Sequence, residues 1–363
     1  MVAGEASGDI YGAGLAGTLK SKVPDLQIAG MGGDQMSASG VRLLFHHRQV
    51  SVVGIFEVAS KLRHLRQAYR NLLNWVEEQN PDFAVLIDFP DFNFRLARVL
   101  KQKRIKTFYF ISPQIWAWRK NRIGYLKDHI DLMISILPFE KRIYESAGVP
   151  CVYTGHPLVE IVREELETQP SFPKPANPAN PLIGIMPGSR DVEVRRHLPV
   201  LMQTLESLRR KMDFDTLLLW APSLSPSDYA IPESVTVIRD NRYAAMKSCD
   251  FMLVASGTST LEAAILGTPF LIVYRVGKLS WQLGKVLVRV PYYGLVNWIA
   301  QRKCVPEFIQ NQMNPETLSA EAFRYLQDAD ARTTMKSDLA GIVDQLGPPG
   351  AMNRAAEAIL AHL

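Results

Sequence analysis

The sequence has few cysteines and no hydrophobic run long enough to cross a membrane. Its 363 residues include only Cys151, Cys249 and Cys304, which form neither a CxxC pattern nor a Cys/His metal spacing. This argues against a disulfide framework and a zinc site, and it predicts a reducing, cytoplasmic location. No segment approaches the ~20 apolar residues of a transmembrane helix, and no signal-peptide pattern opens the sequence. We therefore expect a protein that does not span a bilayer.

Other absences narrow the class of protein. Low-complexity tracts are missing, and 47% apolar with 21% charged residues is a globular composition, long enough for two domains. A net charge of only +5 does not by itself indicate nucleic acid. Neither a Walker loop nor a G-x-G-x-x-G motif is present, so ATP hydrolysis and dinucleotide redox chemistry are weakly supported.

Short apolar runs alternate with helix-length amphipathic segments along most of the chain. Such runs, without strict alternation of apolar and polar residues, predict strands that are buried on both faces of a parallel sheet. The fold class is therefore predicted to be α/β, with two Rossmann-like sheets. The predicted strands are residues 26–30, 83–88, 107–111, 132–137, 182–187, 216–221, 250–255 and 269–274, and predicted helices include 92–103 and 192–212.

A proline-rich segment separates the two halves of the chain. Residues 169–181 read QPSFPKPANPANP, and five prolines forbid a regular helix there. We expect an N-terminal domain over residues 1–168, a linker over 169–181 and a second domain over 182–346. A break at residues 347–350 precedes a final helix.

The loop PGSR follows one predicted buried strand and precedes a helix. Ligands of open parallel sheets bind beyond the carboxyl ends of the strands, where helix N-termini converge. Backbone N–H groups, a hydroxyl and the Arg190 guanidinium would there meet a phosphate. The alternative is a glycine turn in which Arg190 pairs with Asp191 or Glu193.

The segment SGTST at residues 256–260 repeats this pattern after another strand. Glu262 lies one turn into the next helix, where its carboxylate would accept hydrogen bonds from ribose hydroxyls, although a capping box is the alternative. Two phosphate-type loops in one half favour a nucleoside diphosphate. The predicted nucleotide-binding residues of these loops are Gly188, Ser189, Arg190, Ser256, Gly257, Thr258, Ser259, Thr260 and Glu262.

The first half offers a glycine-rich turn and two strand-end carboxylates. GEASGD at residues 4–9 opens a helix, but only three residues precede it, so the first strand is predicted to be missing or reduced. Asp88 is placed to take a proton from a hydroxyl nucleophile, whereas Asp91 suits a helix cap better. His156 is interpreted as a packed hinge residue rather than a catalyst.

Three segments mix basic residues with apolar or aromatic ones. Residues 50–75 are typical of an interfacial helix in the lipid headgroup layer, and residues 116–122 and 275–298 combine Trp or Tyr with Lys or Arg. The alternative for each is a core helix with a basic solvent face. Nucleic acid ranks lower because no nucleic-acid-binding motif accompanies the charge. The predicted membrane contacts are Val53, Ile55, Phe56, Leu62, Arg63, Leu65 and Arg66.

Taken in order, these motifs resemble the lipid-A-disaccharide synthase family. The likeness spans nearly the whole chain and is specific as a set rather than motif by motif. The motifs that carry the resemblance are GEASGD at 4–9, IDFPDFN at 87–93, SPQIWAWR at 112–119, LPFEK at 137–141, GHP at 155–157, PGSR at 187–190, ASGTSTLE at 255–262 and the segment 274–297.

The resemblance implies a GT-B fold, in which two Rossmann-like lobes face one cleft and a C-terminal helix, residues 347–363, packs on the N-terminal domain. It implies an inverting transfer from UDP-2,3-diacylglucosamine to 2,3-diacylglucosamine 1-phosphate, which gives a β-1,6-linked disaccharide 1-phosphate and UDP. No metal or cofactor is implied. The implied partners are both substrates, the inner leaflet of the inner membrane, to which the protein is expected to bind peripherally, and a second copy in a homodimer.

The resemblance also assigns residues. Asp88 matches the family's proposed general base, Arg190 and Asn297 match residues of its nucleotide lobe, and Glu5 matches the glutamate of its N-terminal segment. The remaining predicted acceptor-binding residues are Ser7, Gly8, Asp9, Asp91 and Asn93. Two alternatives stay open: an enzyme like UDP-N-acetylglucosamine 2-epimerase, whose soluble sugar substrate needs no interfacial clusters, and a noncatalytic UDP-sugar-binding module.

Overall fold

The computed structural model of the chain describes two compact units. The described residues are 1–49, 58–113, 123–168, 171–172, 180–222, 224–277, 281–282 and 291–363, with residues 58–61 described by their backbone alone. The first unit comprises Met1–Pro157 and Gly347–Leu363, and the second comprises Leu158–Leu346.

Parallel strands form the sheet of the first unit. Within the described residues its order is β3-β2-β1-β4-β5-β6-β7, and each neighbouring pair is parallel. The strands are β1 (Val2–Ala3), β2 (Ala29–Gly32), β3 (Arg42–His46), β4 (Phe83–Ile87), β5 (Lys106–Phe110), β6 (Leu132–Ser135) and β7 (Cys151–Tyr153).

A second parallel sheet forms the centre of the other unit. Its order, again within the described residues, is β10-β9-β8-β11-β12-β13. The strands are β8 (Leu182–Met186), β9 (Asp215–Leu219), β10 (Thr236–Ile238), β11 (Phe251–Ala255), β12 (Phe270–Tyr274) and β13 (Glu307–Ile309). The prediction of two parallel sheets is confirmed.

Helices connect the strands and cover the sheets. In the first unit they are α1 (Ala6–Lys22), α2 (Asp34–Ala38), α3 (Val58–Gln79), α4 (Pro90–Gln102), α5 (Ile123–His129) and α6 (Glu140–Ser146). In the second they are α7 (Leu158–Thr168), α8 (Asp191–Arg209), α9 (Arg242–Ser248), α10 (Ser259–Ile265), α11 (Leu295–Ala300), α12 (Pro315–Gln327) and α13 (Ala329–Gln345). The last helix, α14 (Ala351–Leu360), returns to the first unit and packs on α1, as the resemblance implied.

The first strand is reduced to two residues, as expected, but it is not missing. β1 lies between β2 and β4, where Val2 pairs with both Met31 and Leu86 and Ala3 pairs with Ile87. Two residues suffice because both neighbouring strands hydrogen-bond to them and both side chains are buried.

The boundary between the units differs from the predicted one. It falls between Pro157 and Leu158, so α7 groups with the second unit rather than with the first. The reason is its packing, since α7 contacts α9 and α10. Most of the proline-rich segment, namely residues 169–170 and 173–179, lies outside the described residues. Within the described chain, no helix is both long and apolar enough to cross a membrane.

Candidate active site

The predicted loops lie where each sheet reverses its strand order. In the first unit β1 and β4 are neighbours at this point, and in the second unit β8 and β11 are. Ligands of open α/β sheets bind beyond the carboxyl ends of such strands. Residues 4–9 and 88–91 therefore meet at one reversal point, and residues 187–190 and 256–260 meet at the other.

Asp88 follows β4 in a strained turn. Asp88 and Phe89 both have left-handed φ angles, 45° and 50°, a conformation that costs a residue other than glycine about 1–3 kcal/mol. The Asp88 carbonyl accepts hydrogen bonds from the Tyr109 hydroxyl at 2.5 Å and from Asn93 Nδ2 at 2.7 Å. Its N–H donates to the Phe110 carbonyl at 3.2 Å. These bonds hold the half-buried Asp88 in a defined position.

Gly4, in the glycine-rich turn, packs closely against Phe89 of the Asp88 turn. A Cβ on Gly4 would lie 2.3 Å from Cγ of Phe89, far inside van der Waals contact. Phe89 in turn packs on Phe92 of α4, with 5.4 Å between the ring centroids. Only glycine at position 4 therefore allows the two turns to approach as they do.

Three of the predicted acceptor-binding residues are exposed at this edge. Glu5 precedes α1, Ser7 lies in its first turn, and Asp91 lies in the first turn of α4. Asp91 is not the cap that the alternative interpretation predicted, because Phe89 occupies the N-cap position.

The other predicted acceptor-binding residues are buried, so direct contact with a substrate is not supported for them. Gly8 packs against Ala3. The Asp9 carboxylate caps α2, accepting from the N–H of Gly33 at 2.6 Å and of Met36 at 3.1 Å. Asn93 is fully buried beneath the Asp88 turn. These three residues support the loops at this edge of the sheet from within the core.

The PGSR loop begins α8 and exposes its arginine. Gly188 has a φ of 123°, and a Cβ there would lie 2.8 Å from the Glu193 carboxylate. The Arg190 guanidinium is 64% exposed and stands 3.5 Å from Glu193. The alternative in which Arg190 pairs with Glu193 is therefore observed. An exposed ion pair contributes at most about 1 kcal/mol, however, so an anionic ligand can replace Glu193 as the partner of Arg190. Asp191 pairs elsewhere, with Arg195 at 2.8 Å.

His197, which the sequence analysis did not single out, anchors this loop. The imidazole is fully buried, and burial lowers its pKa below the usual value. In the neutral form Nδ1 donates to the Pro187 carbonyl at 2.7 Å, and Nε2 accepts from the Arg275 N–H at 2.9 Å. His197 thus joins the loop after β8 to the end of β12.

The lowered pKa of His197 predicts a loss of stability in acid. Because the unfolded histidine binds a proton near pH 6.5 and the folded one does so only at lower pH, the free energy of unfolding falls as pH drops below 6.5. The expected contribution is about 1.4 kcal/mol per pH unit within that window. Urea unfolding of the wild type and His197→Gln at several pH values between 7.5 and 5 measures it. An equally steep decline in both proteins would contradict the assignment.

The second phosphate-type loop exposes its backbone. Gly257 has a φ of 153°, and no described atom lies within 4 Å of the Cβ that a larger residue would carry there. Thr258 is exposed and Ser259 half-buried, whereas Thr260 is buried and donates to the Gly257 carbonyl at 2.7 Å. Ser256 donates to the Tyr293 carbonyl at 2.9 Å. Thr260 therefore shapes the loop, and direct nucleotide contact is not supported for it.

Glu262 is engaged inside the second unit. Its carboxylate accepts from Arg242 Nη2 at 2.8 Å and from the Tyr243 hydroxyl at 3.2 Å. Thr258 makes no side-chain cap bond, so the capping-box alternative is not observed. A ribose hydroxyl would have to share this carboxylate with Arg242 and Tyr243.

Asn297 is fully buried and its amide is fully used. Nδ2 donates to Val305 O at 2.8 Å and to Glu307 Oε1 at 2.9 Å, while Oδ1 accepts from the N–H of Cys304 at 3.0 Å and of Val305 at 2.9 Å. Direct contact with a nucleotide is therefore not supported.

Glu307, which the sequence analysis did not single out, connects Asn297 to the backbone at Tyr293 and Gly294. Its carboxylate accepts from the N–H of Gly294 at 2.8 Å and of Tyr293 at 3.0 Å. Since Ser256 donates to the Tyr293 carbonyl, Asn297 and Glu307 together position the β11–α10 loop from behind.

The predicted membrane-binding segment is partly described. Leu62 is 50% exposed, and Arg63 and Arg66 are also exposed on α3. Leu65 is half-buried and packs against the core of the first unit, so the structure does not support it as a membrane contact. The exposed face continues as an open groove lined by Arg63, Arg66, Gln67, Arg70, Asn71 and Asn74.

Other predicted contacts lie outside the described residues. These are Val53, Ile55 and Phe56, together with the cluster at 116–122. Of the cluster at 275–298, the described part includes Tyr293, which is 38% exposed.

His156 fits the packed interpretation. It is buried, burial lowers its pKa to about 3, and its ring meets that of Tyr11 edge to face. Across the ranges that the structure describes, no group of three or more His, Cys, Asp or Glu side chains is arranged to hold a metal ion.

Comparison with known proteins identifies relatives along the whole chain. Residues 1–361 match the family described as lipid-A-disaccharide synthetase. A lipid-A-disaccharide synthase of Nitrosococcus oceani is 38% identical over 372 residues, which cover 100% of this chain and 95% of that protein. The resemblance stated from the motifs is confirmed.

Two solved structures share the architecture. A putative UDP-N-acetylglucosamine 2-epimerase from Listeria monocytogenes has a TM-score of 0.65 at 14% identity, covering 99% of this chain and 95% of its own. The calicheamicin glycosyltransferase CalG4 has a TM-score of 0.63 at 14% identity, covering 99% and 96%. At such identities the likeness shows the fold alone, and the predicted GT-B fold class is confirmed.

Proposed function

We propose, since the chain belongs to the lipid-A-disaccharide synthetase family, that it joins UDP-2,3-diacylglucosamine to 2,3-diacylglucosamine 1-phosphate through a β-1,6 linkage and releases UDP. Membership makes the chain a glycosyltransferase of lipid A biosynthesis rather than an epimerase or a noncatalytic module. The choice of substrates and the roles of the two units are the proposal. The observation that carries it is the pairing of two predicted loops at the reversal point of each sheet.

In the proposed mechanism, Asp88 removes the proton of the acceptor 6-hydroxyl. Such a base must come within about 2.6–3.2 Å of the hydroxyl oxygen, so its backbone has to be fixed. The hydrogen-bonded turn after β4 supplies that restraint. Exposed Glu5, Ser7 and Asp91 orient the acceptor at the same edge. Inversion follows when the deprotonated acceptor oxygen bonds to the anomeric carbon of the donor on one face while the bond from that carbon to UDP breaks on the other.

The second unit stabilises the leaving group. Arg190 and the amides of Gly188 and Ser189 take up charge that grows on UDP, a task that a divalent ion performs in many other enzymes. The backbone at Gly257 adds a second approach to the diphosphate, because no described side chain covers it. His197 and Glu307 hold these two loops in place.

Product analysis tests this function. Purified protein, incubated with the UDP-diacylglucosamine and the monosaccharide 1-phosphate, should release one UDP for each disaccharide formed, as measured by mass spectrometry. An epimerase would alter the UDP-sugar without an acceptor, and a binding module would give no product. UDP release without disaccharide would overturn the proposed substrates.

We further propose that the exposed face of α3 binds an anionic membrane surface. Each CH₂ of an acyl chain is held in a bilayer by ~0.8 kcal/mol, so substrates with several acyl chains stay there and the enzyme must reach them. Leu62 offers an apolar contact, and Arg63, Arg66 and Arg70 offer positive charge on one helix face.

Replacing Arg63, Arg66 and Arg70 together by Gln is expected to weaken binding to anionic vesicles on the order of 100-fold. Each arginine near an anionic leaflet contributes about 1 kcal/mol, and three together account for that factor. Sedimentation with phosphatidylglycerol-containing vesicles measures the partitioning. A matched control neutralises three exposed cations of the second unit, Arg210, Lys247 and Lys336. Equal losses in both variants would reject a specific α3 surface.

A further inference from the structure

Two side-chain hydrogen-bond donors hold the turn that contains Asp88, and both donate to the main-chain carbonyl of Asp88. Both Asp88 and Phe89 adopt left-handed backbone angles, and neither is a glycine. Such residues persist in this conformation only when the surrounding structure determines it. The turn therefore depends on contacts from outside itself.

Those contacts come from two fully buried side chains on different elements. The hydroxyl of Tyr109, next to the carboxyl end of β5, donates to the Asp88 carbonyl at 2.5 Å, and Asn93 Nδ2, in the first turn of α4, donates to it at 2.7 Å. Both residues are 0% exposed, so neither donor is in contact with bulk water. Asn93 Nδ2 also lies 3.3 Å from the Ile87 carbonyl, at the end of the strand that the turn follows.

The tyrosine remains a donor throughout the working pH range. Burial raises the pKa of Tyr109 well above its usual value, and the nearby charge of Asp88 adds to this. A protonated phenol has one O–H to donate, and here it points at the Asp88 carbonyl. Tyr109 touches Asp88 through the main chain, so its influence on the reaction is geometric.

We propose that Tyr109 and Asn93 are positioning residues for the general base, which hold the Asp88 backbone in its left-handed turn and thereby fix the direction of the Asp88 carboxylate. The proposal rests on the role of Asp88 in the proposed function. Rotation about the Asp88 backbone would swing the carboxylate away from the acceptor hydroxyl, and a displacement of 1 Å can reduce a rate by about 10²-fold. Substrate binding does not depend on either side chain, because neither is exposed.

Tyr109→Phe tests this directly, because it removes one hydroxyl and adds no atom. The expected result is a fall in kcat of at least about 10-fold, with the KM of both substrates and the affinity for UDP changed less than about twofold. The matched control is Tyr125→Phe. The Tyr125 hydroxyl also donates to a main-chain carbonyl, that of Phe94 in α4, at 2.7 Å. Both variants should lose similar stability, about 1 kcal/mol for one hydrogen bond, but only Tyr109→Phe should lose turnover.

Asn93→Ala provides a second variant and should reproduce the selective loss of kcat. Equal kcat values in Tyr109→Phe and Tyr125→Phe would overturn the proposal, as would a loss confined to KM. Failure of both Tyr109→Phe and Asn93→Ala to fold would also overturn it, since the donors would then be structural supports of the whole unit. If Asp88→Asn retains turnover, the proposed base is wrong; if Asp88→Asn is inactive while Tyr109→Phe is normal, only the positioning role fails.

Discussion

Replacing Asp88 with Asn is expected to slow disaccharide formation by about 10²–10⁴-fold, the usual contribution of a general base. The fold should survive, because the hydrogen bonds of the turn involve the Asp88 main chain rather than its carboxylate. UDP affinity should also be unchanged, since the predicted nucleotide loops belong to the other unit. Steady-state kinetics and UDP titration calorimetry measure the two quantities.

The control for this substitution is Asp91→Asn. Asp91 is exposed three residues further along, in the first turn of α4, and carries the same charge. We expect its loss to affect the acceptor KM more than kcat. Near-normal turnover in Asp88→Asn would refute the assigned base, and equal losses in both variants would indicate an effect of charge rather than of position.

Replacing Arg190 with Ala is expected to lower kcat/KM by about 10²–10³-fold, comparable to the loss of one preorganised charge-stabilising group. UDP affinity should fall as well, because the guanidinium meets the diphosphate in both the bound and the transition states. The stability of the protein should change little, since the side chain is 64% exposed and its contact with Glu193 is 3.5 Å long.

Arg195→Ala is the matched control, because it removes another arginine of α8. Arg195 is 58% exposed and pairs with Asp191 at 2.8 Å, so its guanidinium already has a defined partner. Unaltered UDP affinity is expected for this variant. If Arg190→Ala and Arg195→Ala bind UDP equally well, the PGSR loop is not the phosphate site.

The buried strands could be predicted from the sequence, and the edge strands could not. Strands such as β4, β8 and β11 lie inside their sheets, where burial on both faces produces continuous apolar runs. β3, β7, β10 and β13 stand at the four sheet edges, are partly exposed, and lack that run. β1 is too short to give any pattern, and only its two neighbours define it.

The positions of the site loops were predictable, but the roles of individual polar residues were not. The rule that ligands bind beyond strand ends selected loops after predicted strands, and the structure places four of them at the two reversal points. It could not show that Asp9 caps α2, that Asn93 Nδ2 donates to the Asp88 carbonyl, or that the Asn297 amide is fully hydrogen-bonded. The partners of these side chains are distant main-chain groups and, for Asn297, also the Glu307 carboxylate, which only folding brings near. His197 escaped notice for the same reason, since its two partners belong to different loops.

The central claim is that the second unit binds UDP and the first unit binds the acceptor. Hydrogen exchange of the main-chain amides, measured by mass spectrometry with each ligand in turn, tests it most directly. The account predicts that UDP alone slows exchange in residues 187–190 and 256–260, and that the monosaccharide 1-phosphate slows exchange in residues 4–9 and 88–91. UDP protection confined to residues 4–9 and 88–91, with the loops after β8 and β11 unaffected, would contradict it.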